Sequence, residues 1–261
     1  MHKHERGNVS AQPKPIQAVL FDLDDTLLDW SGQQNRIAAI NRPHFDKLYG
    51  YLAAEGHSLP DRDVFFHSYF DVVKNAWNEA KKDWTAVNFA QTLQTNFTLF
   101  GLDITRIDME AALHAYDWQA TPEVTLYQDT IPVLDTLRRQ QYKIGLITNS
   151  MMPMWMRDIE LRAYGILDYF DVRLTSGDIG FMKPHPAIYE QALSLLHVDA
   201  ARAVFVGDRP ANDIAGANAV GLVSVLMSPP HLHHEIEDIQ PDFIITQLGE
   251  LLPLLESLQN G

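Results

Sequence analysis

Four short apolar runs constrain this chain more than any other feature, because each stops abruptly on polar or glycine residues. Residues 16–21, IQAVLF, give way to Asp22-Leu23-Asp24-Asp25-Thr26, and KIGLITNS (143–150), DVRLTSGD (171–178) and AVFVGDRP (203–210) behave the same way. Runs of this length, rich in β-branched and aromatic residues, read as buried strands that end in a polar place. Amphipathic stretches lie between them. Residues 129–141 set Ile131, Leu134 and Leu137 on one side, 186–196 open on Pro186 at a first helical position, and 213–221 begin acidic and end on Gly221. Two further strands are expected at 222–227 and 242–246, then a terminal helix that Pro253 interrupts.

Strand and helix in alternation imply an α/β fold: a doubly wound, Rossmann-like parallel sheet with helices on both faces. In such a sheet the carboxyl ends of the strands lie along one edge, where ligands bind. The ends carrying Asp22, Thr148, Ser176 and Asp208 are therefore expected to face one crevice. Residues 30–120 break the alternation. They are helical in character, rich in aromatics such as Phe45, Phe65, Tyr69, Trp77 and Phe97, and poor in β-branched runs. The expected division is a polar tail at 1–15, a Rossmann-like core at 16–29 and 121–261, and an all-helical insertion at 30–120 that returns near Thr121-Pro122.

A chain of 261 residues, 46% hydrophobic, suits one main domain with an insertion. Its 34 Asp plus Glu against 20 Lys plus Arg leave a net charge of −14, which argues against a nucleic-acid or anionic-membrane partner. The absence of cysteine excludes disulfides, thiolate metal sites and a cysteine nucleophile. The polar first fifteen residues contain no signal-peptide core, and no later stretch is long and apolar enough to span a bilayer. A cytoplasmic protein, monomeric or dimeric, is expected. The sequons at Asn8 and Asn96 read as chance matches.

The candidate chemistry sits at the strand ends. Residues two apart on extended backbone share a face, so Asp22 and Asp24 project together and make a field that favours a divalent cation with oxygen ligands. An acidic turn closing the strand accounts for the pair equally well. An EF-hand does not: Leu27 stands where its glycine belongs and Gln33 where its glutamate belongs. Asp208, after an apolar strand and Gly207, reads as a further ligand, whereas Asp213 also fits an ordinary helix-start acid. Lys183 precedes Pro184, which holds its backbone extended and frees the side chain to pair with a carboxylate or phosphate. Thr148-Asn149-Ser150 offer a hydroxyl and backbone amides to an oxyanion.

Taken in order, DxDxT, a strand ending in Thr, Lys, and GDxxxxD, these residues resemble the haloacid dehalogenase-like hydrolase superfamily. The matching positions are Asp22, Asp24 and Thr26; Thr148; Lys183; and Asp208 and Asp213. The insertion matches only in place and helical character, like the cap many members carry there. The resemblance implies Asp22 as nucleophile and Asp24 as the acid that protonates the leaving oxygen and later deprotonates water. It implies Mg²⁺ held by Asp22, the Asp24 carbonyl, Asp208 and Asp213, with Thr148, Asn149 and Lys183 on the phosphate.

An acid at position 24 favours a small phosphorylated metabolite over a halide, since members that displace halide typically lack it. The expected activity is a phosphatase acting on a sugar phosphate, nucleotide or related phosphomonoester. Phosphomutase is the alternative, with a dehalogenase or a silent binding module behind it. A dinucleotide site and a P-loop are excluded by motif. Methionines in residues 151–156 and Trp30 are expected to pack against the core or cap, and His231-Leu232-His233-His234 to be a polar loop instead of a zinc site. His185, near Lys183, is not expected to bind phosphate.

Overall fold

The computed structural model describes residues 15–35, 37–232 and 239–260. The first strand, β1 (Ala18–Phe21), is followed by a short β2 (Leu28–Asp29), and then by four helices: α1 (Ile37–Ala54), α2 (Arg62–Ala80), α3 (Phe89–Leu99) and α4 (Met109–Ala115). Strand β3 (Thr125–Leu126) returns antiparallel to β2, so the chain leaves and re-enters at one place. The remainder alternates: α5 (Thr130–Arg139), β4 (Lys143–Thr148), α6 (Met154–Ala163), β5 (Val172–Thr175), α7 (Ser176–Ile179), α8 (Pro186–Leu196), β6 (Ala203–Gly207), α9 (Ala215–Val220), β7 (Val223–Met227), β8 (Phe243–Ile245) and α10 (Leu251–Asn260).

Six strands form one parallel sheet in the order β5-β4-β1-β6-β7-β8. Successive side chains of β1 go to opposite faces, Val19 and Phe21 into one core and Ala18 and Leu20 into the other. β6 splits likewise, with Val204 and Val206 on the first face and Ala203 and Phe205 on the second. This two-sided burial is why both strands read as unbroken apolar runs. Because β1 lies between β4 and β6, the chain's two directions of winding diverge there, and the crevice opens at its carboxyl end.

The inserted helices have a core of their own, built from Phe45, Phe65, Phe89, Phe97, Tyr116 and neighbours. Asp61, Asn88 and Asp108 cap α2, α3 and α4 by accepting hydrogen bonds from amides two or three residues on. Met152 and Met156 join this core, and Met154 packs on the sheet side, so the methionine-rich segment seats the cap on the core. Asn96 is fully buried. Asn8 lies outside the described residues. No helix among the described residues is long and apolar enough to cross a membrane.

Four local expectations need correction. Ile131 is 39% exposed while Val133 is buried with Leu134 and Leu137, because at about 100° per residue position 131 falls at the edge of the stripe that 130, 133, 134 and 137 define. Pro253 does not interrupt the last helix; it sits in the first turn, where its missing N–H is not needed. Residues 210–214 form a wide π-type turn, so Asp213 precedes α9 instead of starting it. β5 stops at Thr175, and Ser176 opens α7 with its hydroxyl donating to the Ser150 carbonyl, outside the crevice.

Candidate active site

Three strand ends converge. A pocket of about 70 Å³ is lined by Asp22, Asp24, Thr148, Asn149, Lys183, Arg209, Asn212 and Asp213. Its size suits a small polar group. A cavity of about 670 Å³ lies at the other end of the strands, among Gln17, Lys143 and His197, and shares no residue with this site.

Asp22 follows β1 directly, its amide bonded to the Val206 carbonyl. Its Oδ1 is 2.7 Å from Lys183 Nζ, which is also 2.6 Å from Asp213 Oδ1. Lys183 is 1% exposed, and the pairing expected of it is made with two carboxylates whose buried counter-charge it is. Burial alone would lower its proton affinity; Asp213 and Asp22 outweigh that and raise it. Its backbone is held by two asparagines. Asn149 accepts from the Lys183 amide and donates to its carbonyl, and Asn212 donates to the same carbonyl. The Asn149 side chain thus holds the lysine loop while the residue also lines the pocket. The Lys183-Pro184 bond is cis.

Asp208 and Asp213 are buried beside Asp22, and one carboxylate oxygen of each lies within 4.8 Å of the others. Asp213 Oδ2 accepts from the Arg209 amide. Its carboxyl packs against Gly207 so closely that a Cβ there would come within 2.4 Å of it, which explains the glycine before Asp208. Burial, then the charges of Asp22 and Asp213, push Asp208 up to about 9; burial, opposed by Lys183, pushes Asp22 to about 6. Three buried carboxylates face the Lys183 ammonium and, 3.9 Å from Asp208, the largely exposed Arg209 guanidinium, which makes an oxygen-only donor set still short of positive charge. This fits a hard divalent cation of the Mg²⁺ type.

Asp24 lines the same pocket but turns its carboxylate to one side. Asp25 adopts the left-handed region at φ 58°, and the chain doubles back so that Trp30 donates through Nε1 to Asp24 Oδ1 at 3.0 Å. Arg157 Nη2 is 3.0 Å from both Asp24 oxygens. Sequence reading missed Arg157, although it stands beside the methionines that drew notice; a helical Arg three residues before Glu160 resembles any surface ion pair. Thr26 is fully buried under the loop. Thr148 ends β4 at 1% exposure and faces the pocket. Arg209, missed as well, stands at the mouth with a side chain 67% exposed.

The other candidates lie elsewhere. His185 caps α8 and stacks on Phe181. His231 stacks on Tyr127 and lies 3.8 Å from Asp29, while His233 and His234 fall outside the described residues.

Comparison with known proteins adds to this geometry. The profile of the haloacid dehalogenase-like hydrolases matches residues 16–221. A ribulose-1,5-bisphosphate 5-phosphatase of Halopiger xanaduensis is 32% identical over 251 residues, covering 91% of this chain and 98% of its own. A glyceraldehyde 3-phosphate phosphatase of Methanopyrus kandleri is 29% identical over 252 residues, covering 93% and 98%. Among solved structures, a 2-haloacid dehalogenase from Pseudomonas syringae pv. Tomato superposes with a TM-score of 0.63 at 26% identity, covering 93% and 98%.

Proposed function

The chain belongs to the haloacid dehalogenase-like hydrolases, and from that membership and the site we propose that it hydrolyses a small phosphorylated metabolite through an aspartyl-phosphate on Asp22. The observation that carries this reading is Asp22 paired to buried Lys183 at 2.7 Å in a pocket that also holds the acid Asp24. A carboxylate meets a phosphate only where positive charge offsets their repulsion. Lys183 supplies one such charge and Arg209 at the mouth another. Asp22, Asp208 and Asp213, with the Asp24 carbonyl, would hold Mg²⁺, and when bound it would neutralise charge on the phosphoryl oxygens.

In this scheme the Thr148 hydroxyl donates to a phosphoryl oxygen, and Asn149 and Asn212 keep the Lys183 loop in place. The Asp22 oxygen bonds to phosphorus as the leaving oxygen departs with a proton from Asp24. Asp24 then takes a proton from the water that cleaves the acyl phosphate and restores Asp22. The small pocket takes the phosphoryl group, and the leaving group extends toward the cap. The two phosphatase relatives support a sugar phosphate, with nucleotides and related phosphomonoesters in the same class.

Asp22→Asn should lower phosphate release from an aryl phosphate by at least ~10³-fold while the protein stays folded. Chelation should silence the wild type, and Mg²⁺ should restore it. Turnover near wild type in the variant, or activity that survives chelation, overturns the reading. A screen of phosphorylated metabolites scored by inorganic phosphate then ranks substrates, and transfer without release would mark a mutase instead.

A further inference from the structure

Arg157 is 6% exposed and lies outside the pocket lining, yet it is bonded to a residue inside it. Its Nη2 reaches both oxygens of Asp24 at 3.0 Å, and its Nη1 is 3.0 Å from Glu160 Oε2 one turn further along α6. Glu160, 2% exposed, accepts a hydrogen bond from Trp118 Nε1. Trp118 stands where the inserted helices return to the sheet, and Trp30, the other donor to Asp24, stands where the chain leaves it. One continuous set of contacts thus runs from the return linker through Glu160, Arg157 and Asp24 to the outgoing linker.

A guanidinium is expensive to bury, and two carboxylates share this one. Its flat guanidinium holds two carboxylates at a fixed angle, Nη2 on Asp24 and Nη1 on Glu160, in a way that the single ammonium of a lysine cannot. We propose that Arg157 is a positioning residue for Asp24: it sets the orientation from which Asp24 serves the leaving oxygen and the water, and Glu160, anchored by Trp118, holds the fork in place. This rests on the reading of Asp24 given above. It also ties the acid to both linkers of the cap, so the helical cap influences chemistry as well as substrate entry.

The test uses full-length Arg157→Gln, Arg157→Lys, Asp24→Ala and the double variant Arg157→Gln/Asp24→Ala, with p-nitrophenyl phosphate and Mg²⁺. Arg157→Gln should lower kcat roughly ten- to hundredfold with KM nearly unchanged, and Arg157→Lys should recover part of the loss. The double variant should be no slower than Asp24→Ala, because an arginine that acts through Asp24 has nothing to orient once that carboxylate is gone. Trp118→Phe keeps the ring packing and removes one N–H from Glu160. It should lower kcat severalfold in a wild-type background and not at all beside Asp24→Ala, and it decides the question if Arg157→Gln does not fold. Losses that multiply in the double variants, or that fall on KM alone, overturn the proposal and leave Arg157 a packing residue. Wild-type turnover in Asp24→Ala would instead remove the role of Asp24, and this proposal with it.

Discussion

Helices α1 to α4 and the carboxyl ends of the parallel strands are both densely buried, but they bury different chemistry. Among the described residues, the buried ionisable Asp, Glu, Lys and Arg side chains are Asp22, Arg157, Glu160, Lys183, Asp208 and Asp213, all on the sheet side. Among the described residues the helical cap buries only Thr92 and Asn96 as polar side chains and otherwise packs aliphatic and aromatic groups, with Phe45 against Phe65, Phe66 and Tyr69, and Phe89 against Tyr116. Apolar burial stabilises in proportion to area and needs no partner, whereas each buried charge must be matched by another. The cap is therefore held by its own core, and the sheet edge is a set of mutually dependent charges. Substitutions should separate the two: changes in the cap core should act on stability alone, and changes at the sheet edge on turnover as well.

The largest expected effect is on the charged side. Lys183→Met removes the ammonium that lies 2.7 Å from Asp22 and 2.6 Å from Asp213, with hardly any change in side-chain length. Phosphate release should fall by at least ~10³-fold, as expected when a preorganised positive charge is lost from a transferring phosphoryl group. Stability should fall too, by about 3–5 kcal/mol where one partner of a buried pair is lost. Denaturant midpoints and kcat measured on one preparation check both. A variant that keeps its turnover would break the division between the two regions.

Phe65→Ala makes the opposite case. Phe65 is fully buried, with ring centroids of Phe45, Phe97 and Phe100 at 5.4, 5.9 and 5.3 Å. Truncation should cost about 3–5 kcal/mol in urea unfolding, yet kcat on a small aryl phosphate at low temperature should stay near wild type. A collapse of kcat alongside stability would show that the cap core and the strand ends do not behave as separate units.

The same contrast explains what could be read from the chain alone. Strand ends are legible because buried parallel strands are continuous apolar runs, and a run that stops at Asp22, Thr148 or Asp208 marks the crevice edge directly. Helical character in 30–120 was legible from aromatics without β-branched runs. Arg157 was not, because a helix offers an arginine the same local pattern whether it faces water or a carboxylate 133 residues earlier in the chain. Asn149 was recognised as part of the site, but its side chain serves the Lys183 backbone, a contact across 34 residues that no local spacing encodes. Ser176 was misplaced because β5 ends one residue sooner than its apolar run suggests.

The smallest expected effect probes the buried pair of Arg157 and Glu160, which touches the cap linker through Trp118. Burial, opposed by Arg157 and reinforced by Asp24, raises Glu160 from its usual 4.5 to about 7. The folded protein then holds a proton on Glu160 between pH 4.5 and about 7 that the unfolded chain has released, so this group makes stability fall as pH rises through that window. Above pH 7 the penalty is constant, at most about 3 kcal/mol for a shift of this size. Glu160→Gln keeps the shape and an acceptor for Trp118 but cannot ionise. Its melting temperature relative to wild type should therefore climb by several degrees between pH 5 and pH 8, with titrating groups that do not interact with Glu160 cancelling in the difference. A difference that stays flat or declines with pH would mean that Arg157 keeps Glu160 ionised throughout. The contact between cap linker and sheet edge would then be a fully charged pair, not a shared proton.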